Sequence, residues 1–305
     1  MAELNAPLPS LAARDNPKAG ICLIIVSTVL FSILWSLVKA LSERYPIDEV
    51  TFFRSALAFI PVGLLVAMNG GWPLLRTQKL ASHLWRSTIG VISMTLGFFS
   101  YHLMPLADAV SLSFTSPLLI TALSAPMLGE KVGIHRWSAV IVGFFGVLLI
   151  VKPSGEMFNL GAVTALGAAI ASAFAMVTIR QLNRTDKPLT IVFYFTLFST
   201  LYTAIPLPFV WVTPTWQDWG LLMAMGLTGG TGQYFMTRAY GQASAAVISP
   251  FNYISLLWSA VFGWVLWSDL PAPHVFAGSA VVIASGLYIL YREVRKGRTR
   301  PPPIT

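Results

Sequence analysis

Few residues in this chain carry charge, and two of them stand where charge is expensive. Arg54 falls about four residues into one long apolar run, and Lys39 lies near the end of another. An ionisable group inside a membrane-crossing segment costs about 2.5–3.5 kcal/mol on insertion scales, so it must face a wet cavity or a partner. A guanidinium in that position could hold the anionic group of a solute or take part in a gate, and its planar fork sets it apart from an ammonium. The plainer alternatives are an ion pair of Arg54 with Glu49 or Asp48, and a Lys39 stem lying along apolar surface while its ammonium reaches water.

A second set of candidates is polar or aromatic. Ser249, Asn252, Tyr253 and Trp258 cluster around Pro250, and Thr115 and Ser116 precede Pro117. A proline inside a helix frees a backbone carbonyl, and such breaks can become binding sites or hinges. Asn252 and Tyr253 are read as cavity lining, set against the hydrogen bonds between helices for which Ser, Thr and Asn commonly serve in membranes. Trp35 and Trp258 lie deep enough in their runs to stack on a solute, whereas Trp211, Trp216, Trp219 and Trp267 sit at run ends and fit an interfacial belt. The full set expected to bind substrate is Trp35, Lys39, Arg54, Tyr101, Thr115, Tyr194, Gln233, Tyr234, Asn252, Tyr253 and Trp258, with His102 and Tyr202 as further candidates. His102 reads as a satisfied interfacial histidine, with proton coupling as the sharper view.

Other chemistries find no support. The histidines His83, His102, His135 and His274 are scattered, without metal-ligand spacing. The run Gly226–Gly232 lacks the Lys and Ser/Thr of a phosphate loop and follows no strand, so it reads as close helix packing, as does the small-residue stripe of Ala165, Ala168, Ser172 and Ala175. Glu130 and Asp269 occupy equivalent places at opposite faces, too far apart for a catalytic pair. They are expected to cap helix N-termini or bind loops, with gating as the minority view. The single cysteine, Cys22, reads as a small apolar residue buried in its run. No cofactor or metal is expected.

The elements that must position these residues follow from composition. Of 305 residues 55% are hydrophobic and 10% charged, against about 25% charged in an average soluble domain. That excludes an ordinary soluble globule, a disordered chain and a disulfide scaffold, and it points to a lipid bilayer. Apolar runs appear at about 20–40, 50–69, 85–104, 109–127, 132–151, 158–180, 189–211, 216–237, 244–267 and 272–292. Each is long enough for a membrane helix, so the expected fold class is all-α integral membrane with ten transmembrane helices. The third and fourth runs meet in a turn at Pro105 with Asp108 as N-cap, and the last two meet at Ser268, Asp269, Leu270 and Pro271. The first run is too long for a signal-peptide core.

Positive residues near span ends stay cytoplasmic. With the N-terminus inside, sixteen of the twenty Lys and Arg residues fall on the inner side, Arg86 among them, leaving Lys39, Arg44, Arg54 and Lys152 outside. Both termini are then cytoplasmic, as tails 1–19 and 293–305, the latter read as disordered beside the membrane. The net charge of +8 sets topology and touches anionic lipid headgroups rather than nucleic acid.

Two segments repeat the same order of features. Ala107-Asp108-Ala109-Val110 opens a span ending at Gly129-Glu130, and the next span carries Gly146-Val147-Leu148-Leu149-Ile150. Ala243-Ser244-Ala245-Ala246 opens a span ending at Ser268-Asp269, and Gly286-Leu287-Tyr288-Ile289-Leu290 follows. The units are 20–151 and 158–292, five spans each. Because five is odd, the second copy runs through the membrane in the opposite sense, an arrangement that places a substrate near the midplane between halves able to rock.

The segments Lys39 to Arg54 (KALSERYPIDEVTFFR), Pro105 to Pro117 (PLADAVSLSFTSP), Leu128 to Lys131 (LGEK) and Ser249 to Tyr253 (SPFNY), the last leading to Ser268-Asp269, are similar to the drug/metabolite transporter superfamily. Within it they resemble the ten-helix EamA-type carriers with two EamA repeats, over about residues 18–292. Asp269 stands where many members have Glu. The resemblance implies an inner-membrane, multi-pass carrier and not an enzyme: a secondary-active exporter of a small organic metabolite such as an amino acid or related amphoteric compound. Its partners would be that solute, the bilayer, and protons or a counter-transported solute. Uptake of a vitamin or nucleoside-like compound is the alternative reading, and a non-transporting membrane scaffold or lipid-modifying enzyme is the rival of another class.

Overall fold

Apolar runs this long leave the backbone no better option than to satisfy its own hydrogen bonds locally, which a helix does. The computed structural model describes residues 17–116, 118–119, 123, 134–151, 160–183, 185–242 and 249–298, and those residues contain helices and turns with no strand. The first half supplies α1 (Pro17–Leu41), α2 (Ile47–Leu57), α3 (Phe59–Met68), α4 (Leu80–Leu103), α5 (Leu106–Ser113) and α6 (Ile134–Val151). The second half supplies α7 (Leu160–Leu182), α8 (Pro188–Ala204), the short α9 (Leu207–Val210), α10 (Trp219–Gln242), α11 (Ile254–Trp267) and α12 (Pro273–Arg298). Each of the ten apolar runs is mostly helical in its described part, which for the fourth covers little beyond α5. Lys18–Leu41, Ile47–Met68 and Leu160–Ile179 are by themselves long and apolar enough to cross a membrane.

Several boundaries have a local cause. The second run breaks at Ala58, because Pro61 has no N–H to offer the Leu57 carbonyl. That run ends at Gly70 and Gly71, whose φ of 119° and 65° suits glycine, and the Gly71 N–H returns to the Val66 carbonyl at 2.8 Å. Met104 is extended before Pro105. Contrary to the expected aspartate cap, Pro105 is the N-cap of α5, and Asp108 sits in its first turn without capping it. Ser268 adopts the left-handed region (φ 57°) and the Asp269 N–H closes on the Gly263 carbonyl at 3.1 Å, a six-residue closure that turns the chain toward α12. A 3-10 stretch, Ser249–Tyr253, carries Pro250 ahead of α11. α12 continues to Arg298, past the end of the tenth run and into residues expected to be disordered, because Glu293 to Lys296 are mostly good helix formers.

The packing repeats between halves. α1 packs on α10 and α4 on α7; α1 also meets α11, and α5 meets α7; α4 meets α8, and α10 meets α2 and α3. The pairs α2 with α8, α5 with α11 and α6 with α12 complete the pattern. Exchanging each element with its counterpart in the other half turns this set into itself. The fold is therefore a two-repeat helical bundle in which the halves interleave.

Glycines set the closest approaches. A Cβ at Gly226 would collide with Leu57, one at Gly230 would lie 2.8 Å from Pro61 Cγ, and one at Gly232 would lie 3.3 Å from Leu30 Cβ. The run on α10 is thus the seam that receives the break in the second span, as close packing requires. Gly146 and Gly278 bring α6 and α12 to backbone contact, and the Ser93 hydroxyl donates to the Ala168 carbonyl at 2.9 Å where α4 meets the small stripe of α7. The exterior is apolar, with Leu64, Phe144, Phe145, Trp264 and Val265 among the exposed side chains, as a lipid-facing surface demands. Cys22 lies on this exterior and is exposed, contrary to the expectation that it is buried.

Candidate functional site

α2 carries Arg54 four residues before the break at Ala58, and α10 faces it with bare backbone: a Cβ at Gly229 would stand 3.1 Å from Arg54 Nε. Arg54 is 4% exposed. Neither expected carboxylate takes it, since Glu49 turns the other way and accepts the Val212 N–H at 2.9 Å. Arg54 Nε is buried with no hydrogen-bond partner.

A second arginine joins it. Arg86, assigned from sequence to a cytoplasmic connection, lies inside α4, 4% exposed. Both guanidiniums stand over Phe195 of α8, Arg86 Cζ at 3.6 Å and Arg54 Cζ at 5.6 Å from the ring centroid. An aromatic face attracts a cation but does not neutralise it. Arg86 Nε and Nη1 are buried without partners, and among the described residues no acidic side chain forms an ion pair with either arginine. One turn beyond Arg86, a Cβ on Gly90 would lie 2.9 Å from Phe195 Cε2 and 3.2 Å from Arg86 Nη1. Glycine there lets the ring lie against α4. Three elements therefore meet at this ring, with α10 lying against Arg54.

The sequence holds a signal for Arg86 that a charge count overlooks. His83, Arg86, Ser87 and Gly90 recur at helical spacing as one polar and small stripe on an otherwise apolar helix, and in the structure they are buried together. His83 Nε2 is 3.7 Å from Asp186 Oδ1, and its ring lies 4.7 Å from that of Tyr194. Tyr194 is fixed by donating to the Leu75 carbonyl at 3.0 Å.

The other candidates fall into separate groups. Trp35 stacks on Phe31 at 6.1 Å and tilts onto Tyr101 at 5.7 Å, within the main core. Gln233, one turn along α10 from Gly229, has its Nε2 buried and unpartnered. So do Thr115 Oγ1 and Trp258 Nε1. Tyr234 lies against a smaller cluster with Leu189 and Val192. Asn252 donates to the Tyr240 hydroxyl at 3.0 Å and accepts from Ser255 at 2.6 Å, while Tyr253 meets Phe114 edge-on at 5.0 Å. The two hydrogen bonds of Asn252 are of the kind that Ser, Thr and Asn commonly make in membranes.

Lys39 has a fixed partner. Its Nζ bonds Asp269 Oδ2 at 2.8 Å and lies 4.9 Å from the Trp267 ring centroid, and Trp267 Nε1 donates to Glu43 Oε1 at 3.2 Å. Asp269 thus holds a cation rather than a helix N-terminus; Glu130 lies outside the described residues. Nearby, Arg44 Nη1 meets Asp218 Oδ1 at 2.8 Å, while Tyr45 and Thr215 donate to Asp218 Oδ2 at 2.7 and 2.6 Å. Hydrogen bonds from Thr215 and Tyr45, with the Arg44 guanidinium, hold the Asp218 carboxyl below the usual carboxylate range. His102 Nδ1 sits 3.1 Å from Ser42 Oγ at the same end. Trp211 and Trp219 pack on Phe53, and Trp216 is exposed. No group of three potential metal ligands occurs among the described residues.

The geometry can be set beside known proteins. A solved crystal structure superimposes with a TM-score of 0.66 over 92% of this chain and 99% of its own, at 18% identity, a likeness of fold. The pseudopaline exporter CntI of Pseudomonas aeruginosa is 34% identical over 276 residues, 89% of this chain and 95% of the relative. A riboflavin transporter of Vibrio cholerae is 28% identical, covering 94% and 98%, and an S-adenosylmethionine uptake transporter of Rickettsia prowazekii is 26% identical, covering 90% and 93%. These relatives are named transporters, not enzymes. The profile of the EamA-like transporter family matches residues 18–152 and again 159–291, one copy for each half of the bundle. The chain belongs to the EamA-like transporter family, as a multi-pass membrane protein built from two repeats.

Proposed function

We propose that the chain is a secondary-active carrier that exports a small organic metabolite bearing an anionic group, an amino acid or related amphoteric compound, by alternating access. The observation that carries this reading is Arg54: a buried, unpaired guanidinium where the two repeats meet, in a fold whose halves can rock about the contact between them. Export is favoured by the 34% identity to a protein named an exporter. Uptake of a vitamin or nucleoside-like compound is the second reading, supported by the relatives named for riboflavin and S-adenosylmethionine.

The proposed orientation puts both termini in the cytoplasm of a bacterial-type inner membrane. With Arg86 and Arg54 removed from the count because they are buried, fifteen positives remain inside against three outside. The end closed by Lys39–Asp269 and Arg44–Asp218 then faces outward, and each of those pairs joins the first repeat to the second. Opening toward the outside requires them to part. A proton gradient or exchange for another solute would supply the energy.

The test compares intracellular and extracellular metabolites in cells with and without the protein, followed by flux of the responding compound in proteoliposomes. Export is supported by a metabolite that accumulates outside only when the chain is present, and whose flux is lost in Arg54→Gln at normal membrane abundance. A compound depleted from the medium instead supports uptake. Unaltered flux in Arg54→Gln removes Arg54 from the mechanism.

A further inference from the structure

We propose that Arg54 and Arg86 form one two-point site for a dianion, so that the solute carries two carboxylates or a phosphate rather than a single carboxylate. Two guanidinium carbons at 3.6 and 5.6 Å from one ring centroid lie no further apart than the sum of those distances. A guanidinium–carboxylate hydrogen bond adds about 2.8 Å at each end. A short-chain dicarboxylate or a phosphate therefore reaches both cations at once.

Charge points the same way. Two buried like charges repel, and neither has an acidic partner among the described residues. Of the two acids on the same helix as Arg54, Glu49 is committed to the Val212 N–H and Asp48 forms no ion pair with that arginine. Asp186, on the far side of His83, approaches the imidazole at 3.7 Å. Arg54 Nε and Arg86 Nε and Nη1 thus remain as buried donors without acceptors, a state that is costly unless an anion supplies the oxygens. One charge on the ligand would leave the second guanidinium uncompensated; two satisfy both. Phe195 lies within cation–π reach of both guanidiniums while offering no competing acceptor, and glycine at positions 90 and 229 keeps side chains from crowding them.

The proposal rests on the carrier reading for the purpose of the ligand, but its test reads binding without flux. The purified full chain in lipid nanodiscs is melted at constant ionic strength in rising succinate, butyrate or inorganic phosphate. Succinate or phosphate is expected to raise the midpoint at a concentration at least about tenfold below that needed for butyrate. The better of the two dianions tells two carboxylates from a single compact group. Arg54→Gln and Arg86→Gln should each reduce the dianion response to the butyrate level while leaving the ligand-free midpoint equal or higher, since one of two repelling charges is gone. Arg86→Lys, which keeps charge and length, should retain part of the response and serves as the deciding variant where a Gln protein does not fold. Equal responses to succinate, phosphate and butyrate would overturn the site, as would an unchanged dianion response in Arg86→Gln or, where that protein does not fold, in Arg86→Lys. A chain that exports a metabolite yet ignores both dianions sinks this site alone. One that binds dianions yet moves no solute sinks the carrier reading alone.

Discussion

The end of the bundle around Lys39 and the centre around Arg54 both place cations of the first repeat against the second, yet they are solved in opposite ways. At the end, Lys39 has Asp269 and Arg44 has Asp218, each at 2.8 Å. At the centre, Arg54 and Arg86 share an aromatic ring and no carboxylate among the described residues. Paired charges at a partly wet end hold two surfaces together at little net cost. Unpaired charges in a buried centre store a demand for an anion. The first arrangement suits a latch, the second a binding site.

The largest expected effect would come from the centre. Losing hydrogen bonds to a charged group removes about 1.5–3 kcal/mol, roughly a 10- to 100-fold drop in transport, for Arg54→Gln or Arg86→Gln. Flux assays at matched membrane abundance read it. If Lys39→Gln abolished transport as completely as either, the distinction between latch and site would collapse.

Next comes the support beneath the arginines. Gly90→Ala places a methyl 2.9 Å from Phe195 Cε2, and overpacking of this kind costs about 1–3 kcal/mol. A lowered melting midpoint together with weaker solute binding is expected. A midpoint drop with unchanged binding would mean that the ring position matters to packing alone.

Smaller effects belong to the end. Lys39→Gln or Asp269→Asn removes a pair worth up to about 1 kcal/mol, a change of roughly fivefold or less in transport. The reversed pair, Lys39→Asp with Asp269→Lys, should recover part of that loss, which residues contributing independently would not do. Smallest is a pH effect at Asp218. Because its folded carboxyl titrates below the ordinary value, its contribution to stability is present above the unfolded pKa of about 3.9 and lost as pH falls through the lower folded value. The melting difference between the wild type and Asp218→Asn should therefore be flat near neutrality and vanish in acid. A difference that grew on acidification would reverse the assignment.

Much of the fold was legible because lipid enforces simple rules: long apolar runs, prolines at their breaks and small residues where helices meet. The run from Gly226 to Gly232 reads correctly as packing, since nothing in it could hold a phosphate and α10 needs bare backbone beside Leu57 and Pro61. The site was legible only in part. Arg54 is conspicuous in an apolar stretch, but Arg86 stands two residues into its run and was absorbed by the charge bias that reports orientation. Its burial depends on Phe195, more than a hundred residues away, and no local pattern encodes such a contact. Lys39 carried a similar signal to Arg54, and the carboxylate of Asp269 that distinguishes them arrives from the other repeat.

The thiol of Cys22, the single cysteine in the sequence and exposed on the outer surface of α1, has a practical side. A membrane-permeant maleimide dye attached there reports from one defined point, with no competing thiol. Cys22→Ser leaves a sulfhydryl-free background, so spin labels placed in pairs beside Lys39 and Asp269 would measure the width of that end directly in a bilayer while solute is supplied from either side.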